Sequence, residues 1–393
     1  MIYLDNSATT KQYDEVIDLM VGCMKENFGN PSSLYGIGLD AEKLIKKARR
    51  QVEYAIDAGE GRAVFTSGGT EADNMALFGS ADSLRKRGNK IVTSAVEHPA
   101  VLECCSRLEE RGFRVVRIPV DRNCNPSLDA VREAVDEDTI LVSFMQVNNE
   151  VGTVMPIDEI SDIIDENKSP GLLHTDAVQS FGKIRLPQCA DLISVSGHKI
   201  HGPKGSGALW MRNVNRHGRK TSLPSYIVGG GQESGLRSGT ENVPAIAGLG
   251  LAAEMSSRNL RKEAERLAGM REAIIEELEA GLPDVILNSP RISGEEPGMC
   301  CPTVISMTFM GTRGEVLLHD LERDGIYLST GSACSSNKKG QSHVLKAMGL
   351  KDKEIEGTLR ISLGRFNTMD EVEFLTDRIK TAVRRFRKLG SFR

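Results

Sequence analysis

The chain has 393 residues, and its formal net charge of −4 comes from 50 basic and 54 acidic residues. This near balance excludes a strong overall field that would attract nucleic acid or an anionic membrane. No apolar run approaches the roughly 20 residues that a membrane-spanning helix needs, and the opening residues show no secretory signal pattern. The eight cysteines form neither a disulfide framework nor a metal-binding spacing. We therefore expect a cytoplasmic globular protein with no nucleic-acid or membrane partner.

Short apolar runs alternate with helical patterns through the first two thirds of the chain. Strands of a parallel sheet that is covered on both faces read as such continuous apolar runs. This rhythm predicts an α/β fold with a mainly parallel seven-stranded sheet covered by helices. The predicted strands are Ala63–Thr66, Lys90–Ser94, Arg114–Ile118, Ile140–Phe144, Leu172–Thr175, Leu192–Ser196 and Gly207–Met211. The predicted helices between them are Leu39–Ala58, Glu71–Arg87 and Val101–Arg111.

The pattern changes after about Gly230 and predicts a smaller α+β domain. Its predicted elements are a long helix over Val243–Gly281 with a break near Ser256 and Ser257, a strand at Val304–Phe309, a helix at Glu315–Arg323, a strand at Leu359–Leu363 and a last helix from Asp370. We expect a large domain over residues 13–255. Residues 1–12 and 256–393 would form the small domain, with a loop at about 329–340.

The segment Phe65–Glu71 runs from a strand through two glycines and Thr70 into a helix. Backbone N–H groups at such a helix start, with no Cβ in the way, form a site suited to phosphate. The alternative is an ordinary strand-to-helix turn in which Thr70 is the N-cap. Both interpretations stay open on this segment alone.

Three further polar residues directly follow predicted strands. Asp176 and Lys199 each follow a buried run, and His98 follows Ile91–Val96. Open α/β sheets bind ligands at the carboxyl ends of their strands. If either Asp176 or Lys199 is considered alone, an ordinary structural salt bridge is the simpler explanation. Together with His98 and a phosphate site, they are the parts that a pyridoxal phosphate enzyme needs: an amine for the aldehyde, a carboxylate for the ring nitrogen and a ring over the cofactor face.

Two residues near the other end of the chain carry further chemistry. Cys334 lies in a run of Gly and Ser with Lys338 and Lys339 just beyond it, and nearby cations favour the nucleophilic thiolate. Arg360 lies within an apolar strand, where an unpaired guanidinium would be costly. Arg360 therefore either has a protein carboxylate as partner or binds a substrate carboxylate.

With these residues the chain resembles the NifS/IscS-type cysteine desulfurases, which are fold-type I pyridoxal phosphate enzymes of the class V aminotransferase superfamily. The matching segments run nearly from end to end of the chain, and they are highly specific in combination. They are Tyr3–Thr10, Phe28–Ser33, Thr66–Asn74, Glu97–His98, Val147–Gly152, Asp176–Gln179, Ser196–Gly205, Gly229–Thr240 and Gly331–Ser335.

The resemblance implies a role for each matching site residue. Lys199 holds the cofactor covalently and moves protons, Asp176 pairs with the ring nitrogen, and His98 stacks on the ring. Cys334 is the nucleophile. The remaining residues implied to bind the cofactor or the substrate are Gln179 at the ring hydroxyl, Gly69, Thr70, Ser196 and His198 at the phosphate, Thr240 from the neighbouring subunit of a homodimer, and Asn149 and Arg360 at the substrate carboxylate. Asn149 is also implied to bind the cofactor.

The implied reaction converts L-cysteine into L-alanine and a persulfide on Cys334. The outer sulfur would pass to an acceptor, such as an iron–sulfur scaffold or a tRNA-thiolation protein. No resident metal is implied, and it stays open whether Cys334 also ligates a transferred iron–sulfur cluster. Two other functions stay open as alternatives. One keeps the cofactor but acts as a selenocysteine lyase or a plain aminotransferase, and the other is a sulfur-carrier platform that docks partners.

The sequence departs from the pattern of this family at three positions. Tyr35 stands where relatives often carry His, Ser234 where Arg is frequent, and Gly69 where Ala is common. None of these positions is Lys199 or Cys334, so the expected reaction class is unaffected. The departures bear on the details of the pocket and on partner choice.

Overall fold

The structure is a computed structural model that describes residues 1–292, 300–330 and 341–390. The strands are β1 (Ile2–Tyr3), β2 (Gly61–Thr66), β3 (Lys90–Ser94), β4 (Arg114–Ile118), β5 (Thr139–Ser143), β6 (Leu172–Asp176), β7 (Leu192–Ser196), β8 (Gly207–Arg212), β9 (Val285–Leu287), β10 (Val304–Phe309), β11 (Ile326–Tyr327) and β12 (Thr358–Ser362). The helices are α1 (Asp14–Lys25), α2 (Gly36–Ile56), α3 (Gly69–Leu84), α4 (Pro99–Glu110), α5 (Leu128–Ala134), α6 (Ile157–Glu166), α7 (Val243–Ser257), α8 (Leu260–Gly281), α9 (Gly314–Glu322), α10 (His343–Ala347), α11 (Asp352–Glu356) and α12 (Met369–Lys388).

A seven-stranded sheet with the order β2-β8-β7-β6-β5-β3-β4 forms the centre of the fold. Its strands pair in parallel except β8, which is antiparallel to both β2 and β7. The prediction of a mainly parallel seven-stranded α/β sheet is confirmed. Every residue of β3, β5, β6 and β7 is buried, which explains the continuous apolar runs in the sequence.

Helices cover both faces of this sheet, and successive strand residues point to opposite faces. Phe65 packs in one cluster with residues of α2 and α7, whereas its neighbour Val64 packs in another with residues of α3 and α4. Both layers hold the strand ends in fixed positions. The loops that follow β3, β5, β6 and β7 therefore meet at one rigid edge.

The C-terminal part of the chain contains a second, antiparallel sheet with the order β12-β10-β9. Its buried residues form one cluster with residues of α8 and α12, and Leu4 from the N-terminal segment belongs to the same cluster. β1 pairs in parallel with β11. The predicted domain boundaries stay a prediction. Leu345 and Ile355, from the described segment that begins at residue 341, belong instead to one buried cluster with Val142 of the large sheet.

The predicted long helix is two helices, α7 and α8, that are separated at Arg258 and Asn259. This break lies directly after the predicted break at Ser256 and Ser257. Asn242 begins α7 because its side chain accepts a hydrogen bond from the N–H of Ala245 at 3.3 Å. Among the helices that the structure describes, none combines the length and the apolar character of a membrane span.

Candidate active site

A cavity of about 240 Å³ lies where the carboxyl ends of β3, β5, β6 and β7 meet. The start of α3 and the N-terminal segment at Ser7 and Ala8 complete its wall. The predicted site residues that line the cavity are Gly69, Thr70, His98, Asn149, Asp176, Gln179, Ser196, His198 and Lys199. The fold therefore brings together residues that are up to 130 positions apart in the chain (199 − 69).

Lys199 ends a short 3₁₀ turn, Gly197–Lys199, that directly follows β7. Its Nζ donates to the carbonyl oxygens of Ser7 at 2.5 Å and Ala8 at 2.7 Å. Ser7 O also accepts from Gln179 Nε2 at 2.9 Å. The N-terminal segment thus holds the lysine amine and the glutamine amide on the same side of the cavity.

Asp176 is the last residue of β6, and its side chain is buried in the cavity. Its carboxylate accepts a hydrogen bond from the N–H of Val178 at 2.9 Å. Burial raises the pKa of Asp176 to about 6, and the Val178 N–H and the Lys199 charge counteract this rise. At neutral pH the site therefore contains a buried carboxylate anion.

Two histidines in the wall are neutral at neutral pH. His98 is the N-cap of α4, and its Nδ1 accepts from the N–H of Ala100 at 3.1 Å, so the ring proton lies on Nε2. Burial lowers the pKa of His98 to about 4, and the charge of Lys199 adds to this effect. Burial likewise lowers the pKa of His198 to about 4. Both residues can stack or hydrogen-bond without adding positive charge.

The start of α3 presents free backbone N–H groups to the cavity at Gly69 and Thr70. The N-cap of this helix is Gly68, without a side-chain cap, so the alternative of Thr70 as N-cap is wrong. A Cβ at Gly69 would lie 2.6 Å from Cγ2 of Val178. Glycine at position 69, where the family commonly has Ala, therefore leaves room for the methyl group of Val178.

We expect the Gly69→Ala substitution to lower the free energy of unfolding by about 1–3 kcal/mol, because the new methyl group overpacks against Val178. Removing that contact in the double variant Gly69→Ala/Val178→Ala should restore most of the loss. Urea denaturation of both variants measures the effect. An equal loss in the single and double variants would contradict the steric explanation.

Arg360 lies on β12 with its guanidinium buried. Its Nη2 donates to the Asp5 carboxylate at 2.8 Å, and its Nη1 donates to the carbonyl oxygen of Asn149 at 3.1 Å. Arg360 therefore has a protein carboxylate as its partner, which is one of the two alternatives predicted from the sequence. Within the described residues the Nε of Arg360 has no hydrogen-bond partner. Among the described residues, Arg360 is not part of the cavity lining, and its role at a substrate carboxylate stays a prediction.

The amide of Gln179 is held in one orientation by two contacts. Its Nε2 donates to Ser7, and its Oε1 accepts from the Nζ of Lys183 at 2.9 Å. Lys183 was not predicted as a site residue. In the sequence, a lysine on the loop after β6 looks the same as an ordinary surface lysine.

Thr240 does not line this cavity in its own chain. It is exposed and lines a neighbouring cavity together with Thr66 and Ser67, on the loop that leads into α3. The expectation that Thr240 reaches the phosphate from a second subunit stays a prediction. Cys334 lies outside the described residues.

The described residues on both sides of the Cys334 segment contact residues that lie beside the cavity. Ser329 exchanges backbone hydrogen bonds with Arg360, at 2.6 and 3.1 Å. On the other side, the hydroxyl of Ser342 donates to the carboxylate of Glu150 at 2.5 Å. Glu150 directly follows Asn149, which lines the cavity. Ser329 and Ser342 therefore both lie next to residues that neighbour the cavity.

The groups in the cavity fit pyridoxal phosphate. Lys199 supplies an amine, Asp176 a buried anion and His98 a neutral ring within one enclosed space. The helix start at Gly69 and Thr70 lines the cavity and suits a phosphate, because the first backbone N–H groups of a helix favour an anion. This combination of an amine, an anion and an anion-binding helix start is the donor set that the cofactor requires.

Comparison with known proteins agrees with this geometry. The family model "Aminotransferase class-V" matches residues 2–375. Two relatives named cysteine desulfurase IscS, from Clostridium botulinum and Methanosarcina thermophila, are 40% and 42% identical and align over 99% of this chain and 96% and 93% of their own. A solved NifS-like protein has a TM-score of 0.87 and 35% identity, with 98% and 99% of the two chains covered. A structure described as SspA in complex with cysteine has a TM-score of 0.77 and 32% identity, with 94% and 100% covered. The chain belongs to the class-V aminotransferase family.

Proposed function

We propose that this protein is a cysteine desulfurase, which uses pyridoxal phosphate to move the sulfur of L-cysteine onto Cys334 and releases L-alanine. The observation that carries the proposal is the single cavity that contains Lys199, Asp176 and an open helix start. The names of the full-length relatives, and a similar structure described as a complex with cysteine, support the same substrate.

Each cavity residue has a role in holding the cofactor. When bound, pyridoxal phosphate supplies an aldehyde that condenses with amines and a ring that accepts electrons. Lys199 Nζ binds it covalently, Asp176 pairs with the ring nitrogen, and His98 stacks on the ring. The other proposed cofactor contacts are Gln179 at the ring hydroxyl, Gly69, Thr70, Ser196 and His198 at the phosphate, and Thr240 of a second copy of the chain.

Lys199 also moves the protons of the reaction. With the cofactor bound, Lys199 Nζ would be the base that takes the proton from the α-carbon of the substrate. The carbonyl oxygens of Ser7 and Ala8 lie within 2.7 Å of this nitrogen and keep it in the cavity. Asn149 and Arg360 orient the substrate carboxylate, with the guanidinium of Arg360 as the charged donor.

The sulfur step is an attack of the Cys334 thiolate on the sulfur of the bound cysteine. A sulfur–sulfur bond forms and the carbon–sulfur bond breaks, and its electron pair stays on the carbon side. That carbon takes up a proton, so one cysteine and one thiol become one alanine and one persulfide. The contacts of Ser329 and Ser342 beside the site support this role for the segment between them.

The persulfide sulfur then passes to an acceptor, for which we propose an iron–sulfur scaffold or a tRNA-thiolation protein. We also place the protein in the cytoplasm as a homodimer, in which Thr240 completes the phosphate site of the other subunit. Size measurement by light scattering and a Thr240→Ala variant test this arrangement. A monomer with full cofactor affinity would contradict it.

We expect Arg360→Ala to raise the KM for L-cysteine by about tenfold or more, because a charged hydrogen bond to the substrate carboxylate is lost. The kcat should fall less, since this contact is made before and during the reaction. Asp5→Asn is the matched control, because it removes the ion pair but keeps the guanidinium. Steady-state kinetics separate the two variants. Equal rises in KM would show that Arg360 acts only through its pair with Asp5.

The direct test incubates the purified, cofactor-loaded protein with L-cysteine and a reductant. We expect alanine and sulfide in equal amounts, and neither product in Cys334→Ala. Cys189→Ala is the matched control, because Cys189 is a partly exposed cysteine outside the cavity. Alanine and sulfide that persist in Cys334→Ala would contradict the thiol mechanism and favour the aminotransferase-like alternative. A protein that binds no cofactor would favour the docking platform.

A further inference from the structure

A second buried carboxyl group lies in the cavity beside Asp176. Asp73 is on α3, one turn from the helix start that receives the phosphate, and its side chain is 1% exposed. It lines the same cavity as Asp176. Within the described part of the chain, its Oδ1 has no hydrogen-bond partner. A buried carboxylate that is ionised with one oxygen unpartnered would be costly, so the protonation state of Asp73 needs an explanation.

The nearest imidazole does not supply a positive charge for Asp73. The Nε2 of His174 lies 3.6 Å from Asp73 Oδ1, outside hydrogen-bond distance. The two ring nitrogens of His174 contact the hydroxyls of Ser143 at 2.8 Å and Ser194 at 3.0 Å. Complete burial lowers the pKa of His174 to about 3. His174 is therefore a neutral ring within a polar network beneath the cavity.

A side-chain hydrogen bond with Ser194 favours the ionised form of Asp73, but Asp176 has both a backbone donor and a nearby cation. The Val178 N–H donates to the Asp176 carboxylate, and the charge of Lys199 favours the same ionised form. Burial raises the pKa of Asp73 well above its ordinary range, and the negative charge of Asp176 adds to the rise. Two carboxyl groups that share one buried site hold a proton between them. The contacts place that proton on Asp73.

Other titratable groups around Asp73 do not reverse this assignment. Glu97, which follows β3, is buried, and its negative form would raise the pKa of Asp73 further. Burial raises the pKa of Glu97 itself to about 8, although it accepts from the N–H of Met145. On α4, burial raises the pKa of Cys104 to about 12. The positive charge of Lys199 favours the ionised form of Asp176.

We propose that Asp73 is a positioning residue that carries a proton at neutral pH and so keeps the single negative charge of the carboxyl pair on Asp176. The inference rests on the proposed function only in that Asp176 faces the cofactor ring. Asp73 acts through Asp176, because its proton prevents a second anion from competing for the ring nitrogen. Because a protonated Asp73 is uncharged, the Asp73→Asn substitution should leave the charge of the site unchanged.

Infrared spectroscopy of the cofactor-bound protein, with isotope-labelled aspartate, tests the proton directly. Labelling only aspartate separates Asp73 from the buried Glu97. At slightly alkaline pH, where Asp176 is ionised, we expect a C=O stretch of a protonated carboxylic acid that shifts with the label. This band should vanish in Asp73→Asn and persist in the control Glu97→Gln. Absence of a label-sensitive band in the wild-type protein would overturn the proposal, whether or not the variant folds.

Cofactor affinity gives an independent readout, by titration of the cofactor-free protein with pyridoxal phosphate. We expect the dissociation constant of Asp73→Asn to stay within about threefold of the wild-type value, because Asn is as neutral as the protonated acid. Loss of affinity as large as in Asp176→Asn would overturn the proposal, since Asp73 would then be the anion. Both readouts are independent of cysteine turnover, so failure of the desulfurase assignment would leave them interpretable.

Discussion

Replacing Lys199 with alanine should lower the rate of alanine formation from L-cysteine by about 10³-fold or more, because the same Nζ holds the cofactor and moves the α-proton. The contacts of this nitrogen with the carbonyls of Ser7 and Ala8 show that it lies inside the cavity. The rate is measured as alanine formed per enzyme under saturating cofactor.

Lys204→Ala is the matched control for Lys199→Ala, because Lys204 is an exposed lysine only five positions along the chain (204 − 199). Its rate should equal that of the wild-type protein. Borohydride reduction of the wild-type protein should attach the cofactor to the peptide that contains Lys199. Attachment at another lysine, or an unchanged rate in Lys199→Ala, would show that the amine of the reaction lies elsewhere.

Asp176→Asn should weaken cofactor binding by about 10²–10³-fold, because removal of one partner from a buried ion pair costs roughly 3–5 kcal/mol. The substitution preserves the shape of the side chain and the contact with the Val178 N–H. The loss is therefore one of charge rather than of packing. Titration with pyridoxal phosphate, followed by absorbance, measures it. Unchanged affinity would mean that Asp176 does not face the ring nitrogen.

The raised pKa of Asp176 predicts the pH dependence of cofactor binding. In the cofactor-free protein this carboxyl takes up a proton as the pH falls through about 6. Pairing with a ring nitrogen that already carries a proton requires the ionised form of Asp176, so binding of the protonated cofactor releases the proton of Asp176. Affinity should therefore be constant above this pH and fall below it by up to about tenfold per pH unit. Asp176→Asn should lack this step, and a step that persists there would assign it to another group.

The strand-end residues of the site could be predicted from the sequence because their surroundings are apolar. β5, β6 and β7 are buried on both faces, so polar residues that follow such runs are conspicuous. Asp176 and Lys199 were predicted in this way, and the topology places both in one cavity. The order of the strands, which decides whether two strand ends are neighbours, follows from tertiary packing and not from the local pattern.

Contacts between distant segments could not be predicted. The pair of Arg360 with Asp5 joins residues 355 positions apart, and nothing local to either residue indicates the other. The acceptors of Lys199 are backbone carbonyls of Ser7 and Ala8, and every residue carries such a group. Asp73 lies on helix α3, which is buried on several sides. The sequence of this helix therefore shows no separate apolar and polar faces, and a buried position for Asp73 could not be recognised from it.

Some elements were missed although the sequence carries their signal. Helix α6 has Ile157, Ile160, Ile163 and Ile164 at helical spacing, and all four are buried. Helix α3 begins at Gly69, two positions before the predicted start at Glu71. Glycine is a poor helix former, which is why the prediction began later. The earlier start matters for function, because it brings the first N–H groups of α3 to the cavity.

The transfer of sulfur to Cys334 is the central claim, and a single exposure of the cofactor-loaded protein to L-cysteine without reductant tests it most directly. Mass spectrometry then reads the sulfur content of the cysteine-containing peptides while alanine is quantified. We predict an amount of alanine equal to the amount of enzyme, and one added sulfur atom on the peptide that contains Cys334. Alanine formation with the added sulfur on another cysteine, or with none on the protein, would contradict the mechanism.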